Sequence, residues 1–168
     1  TRVDLFPVDA CGCEVTVALK DAEGNVVAEG KAAAEAHTVV KLDVANPHLW
    51  HSMDDPYLYT CEASIVKDGE AVDTVTVNYG YRSFHVDSER GFFLNGKSYP
   101  LHGVSRHQDK LDKGWAISKE DHEIDAALIK EVGANTIRLA HYQHDQYFYD
   151  ICDREGFVLW AEIPFISQ

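Results

Sequence analysis

Asn135-Thr-Ile-Arg138-Leu-Ala-His141-Tyr142, with Leu101-His-Gly-Val-Ser-Arg-His107 before it and Phe157-Val-Leu-Trp-Ala-Glu162-Ile-Pro164 after it, sets the reading of this chain. Each is a short apolar run that ends in His, Arg or Glu, and helix-like stretches separate them. Ser118 with Asp121 three residues on has the form of a capping box, and it opens a helix in which Ile124, Ala127, Leu128 and Val132 recur at helical spacing. Gly133 stops that helix, because a left-handed residue after the last turn costs little only without a side chain. A second helix starts near Asp145, carries Phe148, Ile151 and Cys152 on one face, and ends at Gly156. Phe157-Val-Leu-Trp-Ala is a continuous apolar run, as expected of a parallel strand covered on both faces. The segment therefore reads β-α-β-α-β with a right-handed crossover. Its polar residues gather where the strands end, the edge at which parallel sheets and barrels carry their chemistry.

Upstream the pattern changes. Glu14-Val-Thr-Val-Ala-Leu19 alternates as a half-buried strand does, and Asp21-Ala-Glu-Gly24-Asn25 is a turn before Val26-Val27. Thr38 to Val44, Tyr57 to Lys67 and Ala71 to Tyr79 continue the pattern, with Asp68-Gly69 as a hairpin signal between the last two. This makes about six strands, against ~7 in an immunoglobulin-like β-sandwich, the fold they point to, so the first is expected either in Arg2 to Phe6 or cut away. Asp87-Ser-Glu-Arg-Gly91 is a polar turn, and Phe92-Phe-Leu before Asn95-Gly96 is a small hairpin. The predicted organisation is a sandwich over residues 1–87 and an α/β unit over 88–168.

Asn95-Gly-Lys97, Gly103-Val-Ser-Arg-His107, Asn135-Thr-Ile-Arg138, His141-Tyr142 and Asp153-Arg-Glu-Gly156-Phe-Val-Leu-Trp160 resemble, in order and spacing, the start of the catalytic barrel of family 2 glycoside hydrolases. That family holds the β-galactosidases, β-glucuronidases, β-mannosidases and their relatives. Asn46-Pro-His-Leu-Trp50 followed by Pro56-Tyr-Leu-Tyr59 resembles the segment leading into the last strands of the family's immunoglobulin-like domain. The match covers about residues 46–168 and departs from the family at Leu139, where a small residue is usual, and at Gln143, where proline is usual. The resemblance implies the first β-α-β-α-β part of a (β/α)8 (TIM) barrel, truncated, after a sandwich. It implies a fragment of a retaining β-glycosidase of carbohydrate catabolism acting on terminal β-linked sugars, with β-galactosidase first among the sugars.

The candidate substrate-binding residues are His141, His107, Arg138, Glu162 and Tyr142. His107 follows the first strand in a long loop, Ser105 to Ile117, and long loops at that edge of a barrel usually carry function. Arg138 is an ion that is costly to bury alone, so Glu162 at the end of the adjacent strand is its expected partner. The resemblance places the His141 of His-Tyr in the sugar subsite. Asp109 and Trp115 are candidates for an outer subsite, and Trp50 is a packing residue. Retaining hydrolysis needs two carboxylates ~5 to 5.5 Å apart; in the family these are the glutamate of an Asn-Glu pair after the fourth strand and a glutamate on the seventh. No Asn-Glu dipeptide occurs in this sequence, so the chain is expected to be inactive as given.

Fifteen basic against 28 acidic residues give a net charge of −13, which argues against nucleic acid and anionic membranes as partners. No apolar run approaches the ~20 residues that cross a bilayer. Cys11, Cys13, Cys61 and Cys152 show no pattern of disulfides or zinc ligands and read as reduced thiols of a cytoplasmic protein. A periplasmic or secreted parent is compatible with the same residues. No cofactor is expected in this stretch; the resemblance implies magnesium or sodium in the parent enzyme, with no ligands recognisable in Ala161-Glu-Ile-Pro-Phe-Ile-Ser-Gln168. An open strand edge at Phe157 to Ile163 suggests an oligomer or part of a longer chain. Two rival readings stand beside the glycosidase: a non-catalytic carbohydrate-binding or adhesive module built on the sandwich, and a metal-dependent hydrolase using His107, His141 and Glu162 as ligands.

Overall fold

The computed structural model describes residues 1–8, 10 and 12–165. In chain order its strands are β1 Arg2–Leu5, β2 Glu14–Lys20, β3 Val26–Ala33, β4 Thr38–Lys41, β5 Trp50–His51, β6 Asp55–Pro56, β7 Tyr59–Lys67 and β8 Glu70–Tyr79. Then follow β9 Phe84–Asp87, β10 Gly91–Leu94, β11 Lys97–Ser98, β12 Gly103–Arg106, α1 Lys119–Glu131, β13 Thr136–Leu139, α2 Gln146–Glu155 and β14 Val158–Ala161. They form two compact units, residues 1–48 with 58–81, and residues 49–57 with 82–168. No helix among the described residues is long and apolar enough to cross a membrane.

The first unit is a sandwich of a four-stranded antiparallel sheet, β3-β2-β7-β8, and a two-stranded sheet, β1-β4. Strict alternation in β2 buries Val15, Val17 and Leu19, and Val40 and Leu42 are buried on the smaller sheet's side. At Gly30 a Cβ would lie 2.8 Å from Val40 Cγ1, so glycine is what lets β3 approach β4. Asp68 and Gly69 both adopt positive φ, the two-residue turn their sequence announces. Cys13, Cys61 and Cys152 are free thiols, and burial pushes the Cys152 thiol up to about 12. The Cys11 half of the C-x-C pair lies outside the described residues.

The second unit begins earlier in sequence than the composition shift suggests. Residues 49–57, read from the sequence as sandwich, pack onto the end of α2: Trp50 Nε1 donates to the Asp153 carbonyl at 2.8 Å, and Ser52 Oγ to the Gly156 carbonyl at 2.6 Å. Trp50 is only 2% exposed, a packing residue as expected. Phe84–Asp87 likewise joins this unit, pairing with β10 ahead of the Asn95-Gly96 turn.

The sheet that carries the site is parallel, in the order β12-β13-β14, with Ser105 opposite Arg138 opposite Trp160 and, one residue on, Arg106 opposite Leu139 opposite Ala161. The alternation sorts the side chains. Ile137, Leu139, Phe148, Ile151, Cys152, Ala126 and Phe157 form one core between sheet and helices, while Ser105, Arg138 and Trp160 stand on the opposite face. Trp160 is 69% exposed, so β14 is not covered on both faces as its apolar run suggests.

Ser118 and Asp121 make the full reciprocal capping box. At the other end of α1, Gly133 at φ +79 donates to the Lys130 carbonyl and Ala134 to the Ile129 carbonyl, a Schellman closure. The buried face of α1 is not the stripe that its periodicity marks. His122 and Ala126 are buried, whereas Ile124, Ala127, Leu128 and Val132 are exposed, because the face turned to the core follows Arg106 and α2.

Candidate functional site

Three strand ends converge. β13 delivers Arg138 and the residues after it, β14 ends one residue before Glu162, and β12 carries Ser105. Arg138 and Glu162 form a two-pronged pair, Nε to Oε1 at 2.8 Å and Nη2 to Oε2 at 3.2 Å, and Arg138 Nη1 donates to Ser105 Oγ at 3.3 Å. The partner predicted for Arg138 is the partner found. Glu162 Oε2 also accepts the backbone N–H of His141 at 2.7 Å. That contact holds a residue at φ +72, a left-handed conformation that costs a non-glycine residue about 1 to 2 kcal/mol. The carboxylate thus fixes both the Arg138 guanidinium and the backbone that aims the His141 ring.

The Arg138 hydrogen bonds, then the His141 N–H, hold the Glu162 carboxyl below the usual carboxylate range. Glu162 is therefore ionised near neutrality and accepts hydrogen bonds only. A general acid needs the opposite shift.

An open cavity of about 500 Å³ lies against these groups, lined by Arg138, His141, Trp160, Ala161, Glu162, Ile163 and Phe165. His107 reaches it through His141, the two rings 5.2 Å apart. Tyr142 does not line the cavity. Its hydroxyl accepts the Gln108 backbone N–H at 3.0 Å, and its ring lies between Trp115 and His144. Four of the five candidates are brought together, and the fifth supports the loop beside them.

Among the described residues no group of three or more His, Cys, Asp or Glu side chains is placed to hold a metal ion. His107, His141 and Glu162 are not a ligand set, because the Glu162 oxygens are taken up by Arg138 and the His141 N–H. The metal-hydrolase reading is corrected on that geometry.

Two residues escaped the sequence reading. Gln108 ties the loop down at both ends, its N–H to Tyr142 and its Oε1 accepting from the Asp145 N–H at 2.6 Å. Arg106 is buried beneath the site: Nε donates to Asp125 Oδ2 at 3.0 Å, Nη1 to His144 Nδ1 and Nη2 to His122 Nδ1, both at 3.0 Å. Its guanidinium also lies 3.8 Å over the Phe148 ring. Strand parity is the signal that finds it, since the neighbour of a site-facing Ser105 must face the helices.

Accepting from Arg106 requires both histidines to keep Nδ1 unprotonated. Burial, reinforced by the Arg106 charge, lowers the His122 pKa, and burial likewise lowers that of His144 despite its bond to the Ala140 carbonyl. Asp125, Asp121 and Asp145 face His122 and only partly offset this. The folded state then binds fewer protons than the unfolded chain below the ordinary value of 6.5, so stability is full above that pH and falls as the solution is acidified through it. Thermal unfolding is expected to show a Tm decline between about pH 7 and pH 5. A His122→Gln, His144→Gln double variant flattens that part of the curve; an unchanged slope would contradict this account.

The family model described as "Glycosyl hydrolases family 2, TIM barrel domain" matches residues 84–168, and the one described as "Glycosyl hydrolases family 2" matches residues 9–82. A β-glucuronidase of Bacteroides fragilis is 47% identical over 137 residues, which is 82% of this chain and 20% of that protein. The β-galactosidase BoGH2A of Bacteroides ovatus is 36% identical over 154 residues, 88% of this chain and 18% of that protein. Among solved structures, an FMN-binding β-glucuronidase from Facaelibacterium prausnitzii L2-6 superposes with a TM-score of 0.87 at 51% identity, covering 93% of this chain and 24% of that one. The chain spans about a fifth of the length of the curated relatives it matches.

Proposed function

The chain belongs to glycosyl hydrolases family 2, and on that premise we propose that it builds the sugar-holding rim of a retaining β-glycosidase acting on terminal β-linked sugars, with a β-glucuronide as the substrate. The carrying observation is the Glu162 carboxylate, which locks Arg138 and the His141 backbone at the mouth of one cavity. In this reading the exposed His141 ring, with His107 behind it, donates to sugar hydroxyls, and Arg138 and Glu162 are positioning residues. The sequence puts galactose first; identities of 47% and 51% to proteins named β-glucuronidases, against 36% to BoGH2A, favour glucuronate instead. The adhesive-module reading gains no support, since the large apolar residues exposed on the four-stranded sheet are Val26, Val27, Val72, Val75 and Val77, none aromatic.

Glu162, held ionised by Arg138, is not the acid that protonates a leaving oxygen, and in this reading both reacting carboxylates are supplied from outside these 168 residues, as the family resemblance implies. The 168-residue chain alone is expected to give no hydrolysis of 4-nitrophenyl β-D-glucuronide or β-D-galactoside above buffer. The longer protein that carries it is expected to turn over the glucuronide faster. There, Glu162→Gln lowers kcat/KM by roughly 100-fold, since the guanidinium loses its counter-charge and the His141 backbone its best acceptor. No turnover of any aryl β-glycoside by the longer protein would sink the reading. Faster galactoside turnover would sink only the choice of sugar.

A further inference from the structure

The loop between β12 and α1 presents an indole with one face covered and the rest in water. Trp115 is 67% exposed, and its covered side stacks on Tyr142, ring centroids 4.7 Å apart at 30°. Tyr142 stacks in turn on His144 at 5.2 Å, and buried His144 is fastened by Arg106 and the Ala140 carbonyl. Gln108 pins the Tyr142 hydroxyl and the start of α2, while a tight turn between Lys110 and Gly114 closes the loop just before Trp115. The indole is thus the outer end of a column of rings anchored in the core, an ordered apolar surface with little freedom left to lose when a ligand meets it.

The chain itself ties the column to the cavity. Tyr142 directly follows His141, which lines the cavity, yet Trp115 does not line it. We propose that Trp115 is the stacking platform for the ring of the leaving group, a second pyranose or an aryl group, next to the sugar held at His141 and Arg138. This rests on the β-glycosidase reading of the same rim. A pyranose or aryl ring offers a flat apolar face that matches an indole, whereas a methyl group reaches none of it. Trp115 therefore discriminates between leaving groups.

The test uses the longer protein and four inert probes, the phenyl and methyl 1-thio-β-D-glycosides of glucuronic acid and of galactose, with affinities read by calorimetry. Trp115→Ala is expected to lower the ratio of phenyl to methyl affinity by about three- to tenfold, and Trp115→Phe to retain most of it. An unchanged ratio, or equal losses for phenyl and methyl probes, overturns the platform and leaves the glycosidase reading standing. Failure of the wild-type protein to bind any of the four overturns both.

Discussion

Replacing Arg106 by methionine is expected to destabilise the second unit by about 3 to 5 kcal/mol, the usual cost of removing one partner from a buried charged network. The Arg106 side chain is 4% exposed, and it donates at once to Asp125, His122 and His144. Methionine fills much of the volume but leaves the two Nδ1 atoms without a donor and a carboxylate without its nearest charge. Lys110→Ala serves as the comparison, because Lys110 Nζ also pairs with Asp125, at 2.6 Å, from a side chain 30% exposed. Its loss is expected to cost under about 1 kcal/mol, since Asp125 keeps Arg106. Urea unfolding of both variants decides the matter: equal midpoints would show that the Arg106 network adds nothing beyond its ion pair.

Gly156→Ala is the second large effect, about 2 to 5 kcal/mol, combining left-handed strain with overpacking. A Cβ built at Gly156, where φ is +84, would lie 2.4 Å from both C and O of Ser52. Those are backbone atoms, so no rotamer change relieves the clash. Gly133 ends α1 in a similar conformation, φ +79, yet a Cβ there meets nothing within 4 Å. Gly133→Ala should therefore cost only about 1 to 2 kcal/mol. Comparable losses at the two positions, measured by denaturant midpoint, would mean that the 49–57 segment does not press on the end of α2.

These contrasts also show what the amino-acid order discloses. Features fixed by neighbours along the chain are readable: the Ser118 box, the glycine stops, the Asp68-Gly69 and Asn95-Gly96 turns, and the three parallel strands to within two residues. The Arg138–Glu162 pair is readable too, because a cation at one strand end demands an anion on the next. What escapes depends on contacts between distant segments. Trp50 and Ser52 follow a sandwich-like stretch, and only their bonds to the Asp153 and Gly156 carbonyls show that they serve α2. On α1 the apolar periodicity points at Ile124 and Leu128, whereas the core is reached through His122, a polar residue that Arg106 makes affordable inside. Tyr142 reads as a sugar contact from its place after His141, but its hydroxyl and ring are already engaged.

The pairing Ser105 with Arg138 and Arg106 with Leu139 keeps the two arginines on opposite sides of the sheet. Sliding β12 by one residue against β13 would turn its side chains over and seat the two guanidiniums beside each other. It would also take Arg106 away from Asp125, His122 and His144. A misaligned pairing of these strands is thereby penalised, so charge placed for the finished site also holds the register of its sheet.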